Sequence, residues 1–213
     1  MELNEILRDK RISILGDSLS SFEGVSNNAN INATIGKNPA YYNTVVPFKL
    51  DDTWWMRLIN KYKMVLCVNN SWSGGLLYNY LPEHIEDNMS GEYRAHHLAE
   101  NNGNLPDIII VFIGINDLGH AVGWEQFGNA YHSVLETITR QYPNAETFCV
   151  GLPDRMEEKR VLAKKLNAAI LQEVTLHGKK FHFVDLYNSI LNNATYAQNA
   201  LNDGLHLSAS GMQ

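Results

Sequence analysis

Four short stretches of the 213-residue chain carry side chains able, together, to perform acyl transfer. Gly16-Asp17-Ser18-Leu19-Ser20 follows an apolar run. A serine at such a strand-to-helix turn presents its Oγ above a sheet edge, and Gly16 lets the backbone turn tightly. Asn69-Asn70-Ser71-Trp72-Ser73-Gly74-Gly75 offers glycine amides that a substrate can approach closely. Gly114-Ile115-Asn116-Asp117 offers an asparagine side-chain N–H for a developing oxyanion. Asp203-Gly204-Leu205-His206-Leu207 sets a carboxylate three residues before an imidazole. It can fold back onto the Nδ1–H, fix the tautomer and favour the imidazolium formed in catalysis. Taken singly, each stretch also suits an ordinary turn or helix cap. Taken together, they divide the roles of nucleophile, oxyanion donors, base and orienter.

The elements that must position these stretches alternate. Strand-like runs fall at 11–15, 64–68, 108–113, 147–150 and 181–184, and are almost unbroken in hydrophobicity, as parallel strands covered on both faces must be. Helical spacing appears over 52–62, capped by Asp51 or Asp52, over 124–142, and over 157–177, where Gly178 is the stop. The pattern predicts an α/β fold with a mainly parallel five-stranded sheet in one domain, residues 1–213. In such sheets ligands bind beyond the carboxyl ends of the strands, where three of the four stretches lie. Residues 23–48 form the one long irregular stretch, and a functional role is one reason for such a loop. Residues 207–213 read as the opening of a helix that then stops, as if a closing segment were truncated.

Other residues carry weaker signals. Tyr41, Tyr42 and Phe48 in the long loop can form an acyl or sugar platform, or pin the loop to the surface. Trp72 can line the pocket or pack against it, and His120 lies close enough to the 114–117 stretch to face a substrate. His96 and His97 are adjacent in a helical stretch over 92–101 and so point different ways. With no H-E-x-x-H or paired-cysteine pattern, no metal and no cofactor is expected. Cys67 and Cys149 read as buried free thiols on strands. A formal charge of −6 without a Lys/Arg run argues against nucleic acid as a partner. No apolar run approaches the ~20 residues of a membrane helix. The N-terminus lacks the pattern of a signal peptide, so a cytoplasmic location without membrane association is expected. The oligomeric state is open.

The four blocks GDSLS, NNSWSGG, GIND and DGLHLS resemble, in order and in span, the SGNH hydrolase family of GDSL-like esterases and lipases. The resemblance implies a three-layer α/β/α sandwich of flavodoxin-like type. The α/β-hydrolase fold is disfavoured, because Ser20 stands where its G-x-S-x-G elbow needs glycine. It also implies a catalytic Ser18, Asp203 and His206, with Ser18, Gly74 and Asn116 forming the oxyanion hole. Gly74 and Gly75 compete for the second of those places. The expected activity is hydrolysis of a small-molecule carboxylic ester, with short acyl or O-acetyl groups, through an acyl-enzyme. The alternatives are a carbohydrate O-deacetylase acting on acetylated sugar and a catalytically silent carbohydrate-binding protein of the same fold. The first strand-turn is too poor in glycine for a nucleotide-binding module.

Overall fold

The structure, a computed structural model, describes residues 2–26, 40–78, 94–153, 159–191, 199–201 and 203–213. Its elements run α1 (Leu3–Leu7), β1 (Arg11–Gly16), a 3-10 turn (Leu50–Asp52), α2 (Trp54–Tyr62), β2 (Val65–Asn69), β3 (Ile108–Phe112), α3 (Ile115–Gly119), α4 (Trp124–Gln141), β4 (Glu146–Val150), α5 (Arg160–His177), β5 (Phe181–Val184) and α6 (Leu186–Leu191). All strand pairings are parallel, in the order β2-β1-β3-β4-β5. The sheet is thus the five-stranded α/β arrangement anticipated from the alternating runs.

Burial differs between the centre of the sheet and its edges. Ile12, Ile14 and Leu15 of β1 are fully buried, and every residue of β3 is buried. These two strands hold the middle of the sheet and need apolar side chains on both faces. The edge strands do not, and Val65 of β2 and Val184 of β5 stand exposed. The expectation of strands covered on both faces therefore holds for the centre only. Right-handed crossovers place α2, between β1 and β2, on one face and α4 and α5 on the other. Accordingly α1 packs on α2, and α4 on α5.

Three local expectations differ. The helix expected to start at Asp52 is capped instead by Thr53, whose Oγ1 accepts from Met56 N–H, while Asp51 and Asp52 sit in the preceding 3-10 turn. Residues 94–96 form turns, not a helix; 92 and 93 lie outside the described residues. Residues 209–212 also form turns, and the loop part at 27–39 lies outside the described residues. Both cysteines are free, but Cys67 on β2 is half-buried and only Cys149 is buried.

The strand order creates a reversal between β1 and β3, from which the chain leaves in opposite directions. Loops after β1 and β3 diverge there and leave a crevice at the carboxyl edge. Register holds the edge level, with Gly16 of β1 opposite Phe112 of β3. Beyond β2 the chain still follows β1, as Asn70 N–H reaches Ile14 O and Trp72 N–H reaches Gly16 O at 3.0 Å.

Candidate active site

The residues after β1 are crowded into their turn. A Cβ on Gly16 would lie 2.8 Å from Ser20 Oγ and 3.0 Å from Ser71 Oγ, so only glycine lets the loops after β1 and β2 approach this closely. The Asp17 carboxylate accepts from Leu19 N–H at 3.0 Å. Ser20 O is held from outside by Trp55 Nε1 and by Asn69 Nδ2, each at 3.0 Å. Ser18 therefore stands on a turn fixed at both flanks, with only 4% of its surface exposed.

His206 arrives from the other end of the chain. Its Nε2 lies 2.8 Å from Ser18 Oγ, and its Nδ1 lies 2.7 Å from Asp203 Oδ2. Gly204, with φ +67°, turns the chain between carboxylate and imidazole. Asp203 Oδ1 also accepts from Leu205 N–H and His206 N–H, each at 2.9 Å. Partial burial pushes the Asp203 carboxyl up, but these donors and Tyr41 outweigh it and hold the group well below its usual range. An ionised Asp203 accepts the Nδ1–H, which leaves the Nε2 lone pair toward the Ser18 hydroxyl.

Tyr41 and Tyr42 clamp this loop. Phe22 and Tyr42 form an isolated bridge, and Tyr41 N–H reaches Ser21 Oγ at 2.8 Å, so the two tyrosines are fixed beside the Ser18 turn. Tyr41 OH donates to Asp203 Oδ2 at 2.8 Å. Its ring stacks on the His206 imidazole at 3.5 Å between centroids and 9° between planes. Burial and the Asp203 carboxylate push the Tyr41 phenol up to about 12, so it remains a donor. Tyr42 OH accepts from Leu207 N–H at 3.1 Å and donates to Leu207 O at 3.2 Å. As Tyr42 is fully buried, it cannot be the substrate platform considered from its loop position; it pins the histidine loop. Nothing in the sequence pattern announces either role, because the partners are more than 160 residues away.

The oxyanion candidates lie on the neighbouring loops. Gly114, with φ +119°, starts α3, and its missing Cβ would meet the Phe127 ring at 2.8 Å. Asn116, in the first turn of α3, donates from Nδ2 to Gly75 O at 2.9 Å and keeps its second N–H. Gly75 N–H closes a turn onto Trp72 O at 2.9 Å, whereas Gly74, with φ +79°, is exposed. Of the two glycines, only Gly74 keeps its amide out of that turn.

Two buried carboxyls brace the loops. Asp117 accepts from Leu77 N–H at 2.9 Å and Tyr78 N–H at 2.8 Å, tying the loop after β3 to the one after β2. Burial pushes its carboxyl up. Burial also pushes Asp17 up to about 7, with the nearby Asp117 charge adding to the effect.

Trp72 is buried and covered by the Arg94 guanidinium, 4.2 Å from its ring centre. Arg94 in turn donates to Asn70 Oδ1 at 2.7 Å. His120 is exposed at the end of α3, beside a surface hollow with Tyr78 and Gln126. Leu19 and Leu207, which follow Ser18 and His206 in sequence, line an apolar cleft of about 370 Å³ with Trp54, Phe112 and Met212. Neither cysteine offers a rival nucleophile, since burial pushes Cys149 up to about 12 and also raises Cys67. Among the described residues no helix is long and apolar enough to cross a membrane.

Known proteins resemble this chain as follows. The family model described as GDSL-like Lipase/Acylhydrolase matches residues 10–177. A protein assigned as a GDSL-like lipase from Bacteroides ovatus is 24% identical with a TM-score of 0.70, covering 96% of this chain and 92% of its own. Its counterpart from Bacteroides uniformis is 24% identical with a TM-score of 0.69, covering 100% and 94%. A family 3 carbohydrate esterase of Clostridium thermocellum is 19% identical with a TM-score of 0.60, covering 96% and 90%. No curated protein matches the sequence.

Proposed function

The chain belongs to the GDSL-like lipase/acylhydrolase family and is an enzyme of esterase/acylhydrolase type, and from that premise we propose that Ser18, His206 and Asp203 are the catalytic triad of a short-chain serine esterase. The observation that carries the proposal is the unbroken series from Ser18 Oγ to His206 Nε2 and from His206 Nδ1 to Asp203 Oδ2, at 2.8 and 2.7 Å.

In this reading Ser18 Oγ attacks the ester carbonyl as His206 takes the hydroxyl proton. The carbonyl oxygen becomes an oxyanion, held by the Ser18 and Gly74 amides and the second Asn116 N–H. Collapse expels the alcohol, which receives the proton from His206. Water, deprotonated by the same imidazole, then attacks the acyl-enzyme and releases the acid. Asp203 holds the tautomer, and the Tyr41 face lies against the imidazolium at the moment it carries charge. The nearly buried Ser18 favours a small acyl group, as in acetate esters. The fold shared with a carbohydrate esterase favours a sugar as the alcohol.

The test is turnover of p-nitrophenyl acetate, with acetate release from O-acetylated xylan oligomers measured in parallel. Wild type is expected to cleave both and Ser18→Ala neither. Turnover in Ser18→Ala at the wild-type rate refutes the mechanism. Aryl-ester cleavage without sugar deacetylation refutes the sugar alone.

A further inference from the structure

We propose that His132, Glu136, Glu173 and His177 form a binding site for a divalent transition-metal ion of the zinc class, joining α4 to α5 away from Ser18. Each helix contributes one pair four residues apart, hence on one face: His132 with Glu136 on α4, and Glu173 with His177 on α5. Packing of the two helices brings the pairs together. Ligand atoms of His132, Glu173 and His177 all lie within 4.8 Å of one another. His132 Nδ1 is 2.8 Å from Glu173 Oε2, and the two imidazole rings are 5.1 Å apart.

The orientation of His177 gives the cluster its direction. Its side chain is only 5% exposed. Nδ1 lies 2.8 Å from Glu173 O, a backbone acceptor, and 4.0 Å from Glu173 Oε2, so Nδ1 donates to the carbonyl and Nε2 faces Glu136. That is how metal-binding histidines are commonly oriented, with the second nitrogen donating to a carbonyl or carboxylate. Nε2 is buried and makes no hydrogen bond, although Glu136 Oε1 stands 3.3 Å away. The separation is short enough for an ion pair, but the alignment is wrong for a hydrogen bond.

Two imidazoles and two carboxyl groups make a mixed nitrogen and oxygen donor set of the kind a divalent ion takes. Mixed nitrogen and oxygen ligands suit zinc, and also nickel and cobalt, over magnesium or calcium. Tetrahedral zinc with bonds of about 2.0–2.1 Å sets ligand atoms roughly 3.3 Å apart. The Nε2–Glu136 spacing already matches this, and the His132–Glu173 contact has to open by about half an ångström. The helix α5 runs antiparallel to the strands, and its end at His177 lies against Phe181, the first residue of β5. The site is thus at the amino edge of the sheet, opposite Ser18. Its expected role is to staple α4 to α5. The sequence shows no single metal motif because the ligands come as two pairs 41 residues apart.

The test is a calorimetric titration of chelator-treated full chain with ZnCl2, with the cobalt absorption spectrum as reporter of coordination. One zinc per chain is expected, together with a rise in Tm that EDTA reverses and no response to MgCl2. His132→Ala, at an exposed ligand that folding tolerates, and His177→Gln are each expected to weaken zinc binding at least ~10-fold. His182→Gln, at an exposed histidine outside the cluster, leaves it unchanged, and p-nitrophenyl acetate turnover is unaffected by EDTA. The absence of stoichiometric zinc binding overturns the proposal. So does binding that His132→Ala and His177→Gln leave intact.

Discussion

Replacing Asp17 by asparagine should make the protein more stable at neutral pH, and the gain should vanish in acid. Asp17 is buried, and its carboxyl is pushed from 3.8 to about 7, chiefly by desolvation and further by Asp117. Between those two values the folded chain holds a proton that the unfolded chain has released. Fewer protons bound in the unfolded state mean that stability falls as pH rises through this window. At 1.36 kcal/mol per pH unit, the fall reaches an upper bound of about 4 kcal/mol by pH 8. Asparagine carries no charge and keeps the oxygen that accepts from Leu19 N–H. It lacks a second acceptor for the Ile115 amide, which subtracts a part independent of pH. The readable quantity is therefore the difference between variant and wild type in urea unfolding at pH 4, 6 and 8. That difference should grow by roughly 2–4 kcal/mol from pH 4 to pH 8. A constant difference across this range refutes the reasoning, because it means that Asp17 does not titrate in the folded protein.

Further outcomes follow from the same geometry. Asn116→Ala, removing one proposed oxyanion donor, should lower kcat by about 10²–10³ with KM little changed, measured on p-nitrophenyl acetate. Tyr41→Phe keeps the ring over His206 but removes the hydrogen bond to Asp203, so kcat/KM should fall about 5- to 10-fold, the equivalent of ~1–1.4 kcal/mol; Tyr41→Ala, losing the stack as well, should fall further. Gly114→Ala forces φ +119° on a residue with a Cβ and drives that Cβ into Phe127, so thermal unfolding should reveal a loss of at least ~2 kcal/mol.

The central strands were legible because burial on both faces leaves them little but Ile, Val and Leu, as in the runs at 12–15 and 108–112. The edge strands were legible as well, the run at 181–184 coinciding with β5 and that at 64–68 lying one residue from β2, although Val65 and Val184 face outward. The blocks around Ser18, Gly74, Asn116 and His206 were legible because each is local, a turn with a chemical group at a fixed offset. Tyr41 and Tyr42 were visible only as aromatics in a long loop. Their contacts to Asp203, His206 and Leu207 depend on which loop the fold brings to which edge. Trp72, which its place in the block left open as a lining or a packing residue, is buried beneath Arg94. Asp17 is similar: its neighbourhood marks a turn, but only burial beside Asp117 reveals that its proton is held to about pH 7.

The central claim is that Ser18 is a nucleophile activated by His206. Its most direct measurement is labelling with a fluorophosphonate, followed by mass spectrometry of the peptides. The account predicts a single adduct on Ser18 in the wild-type chain, and a labelling rate that collapses in His206→Ala while Cys67 and Cys149 stay unmodified. An adduct on another residue, or a His206→Ala chain labelled at the wild-type rate, would contradict it.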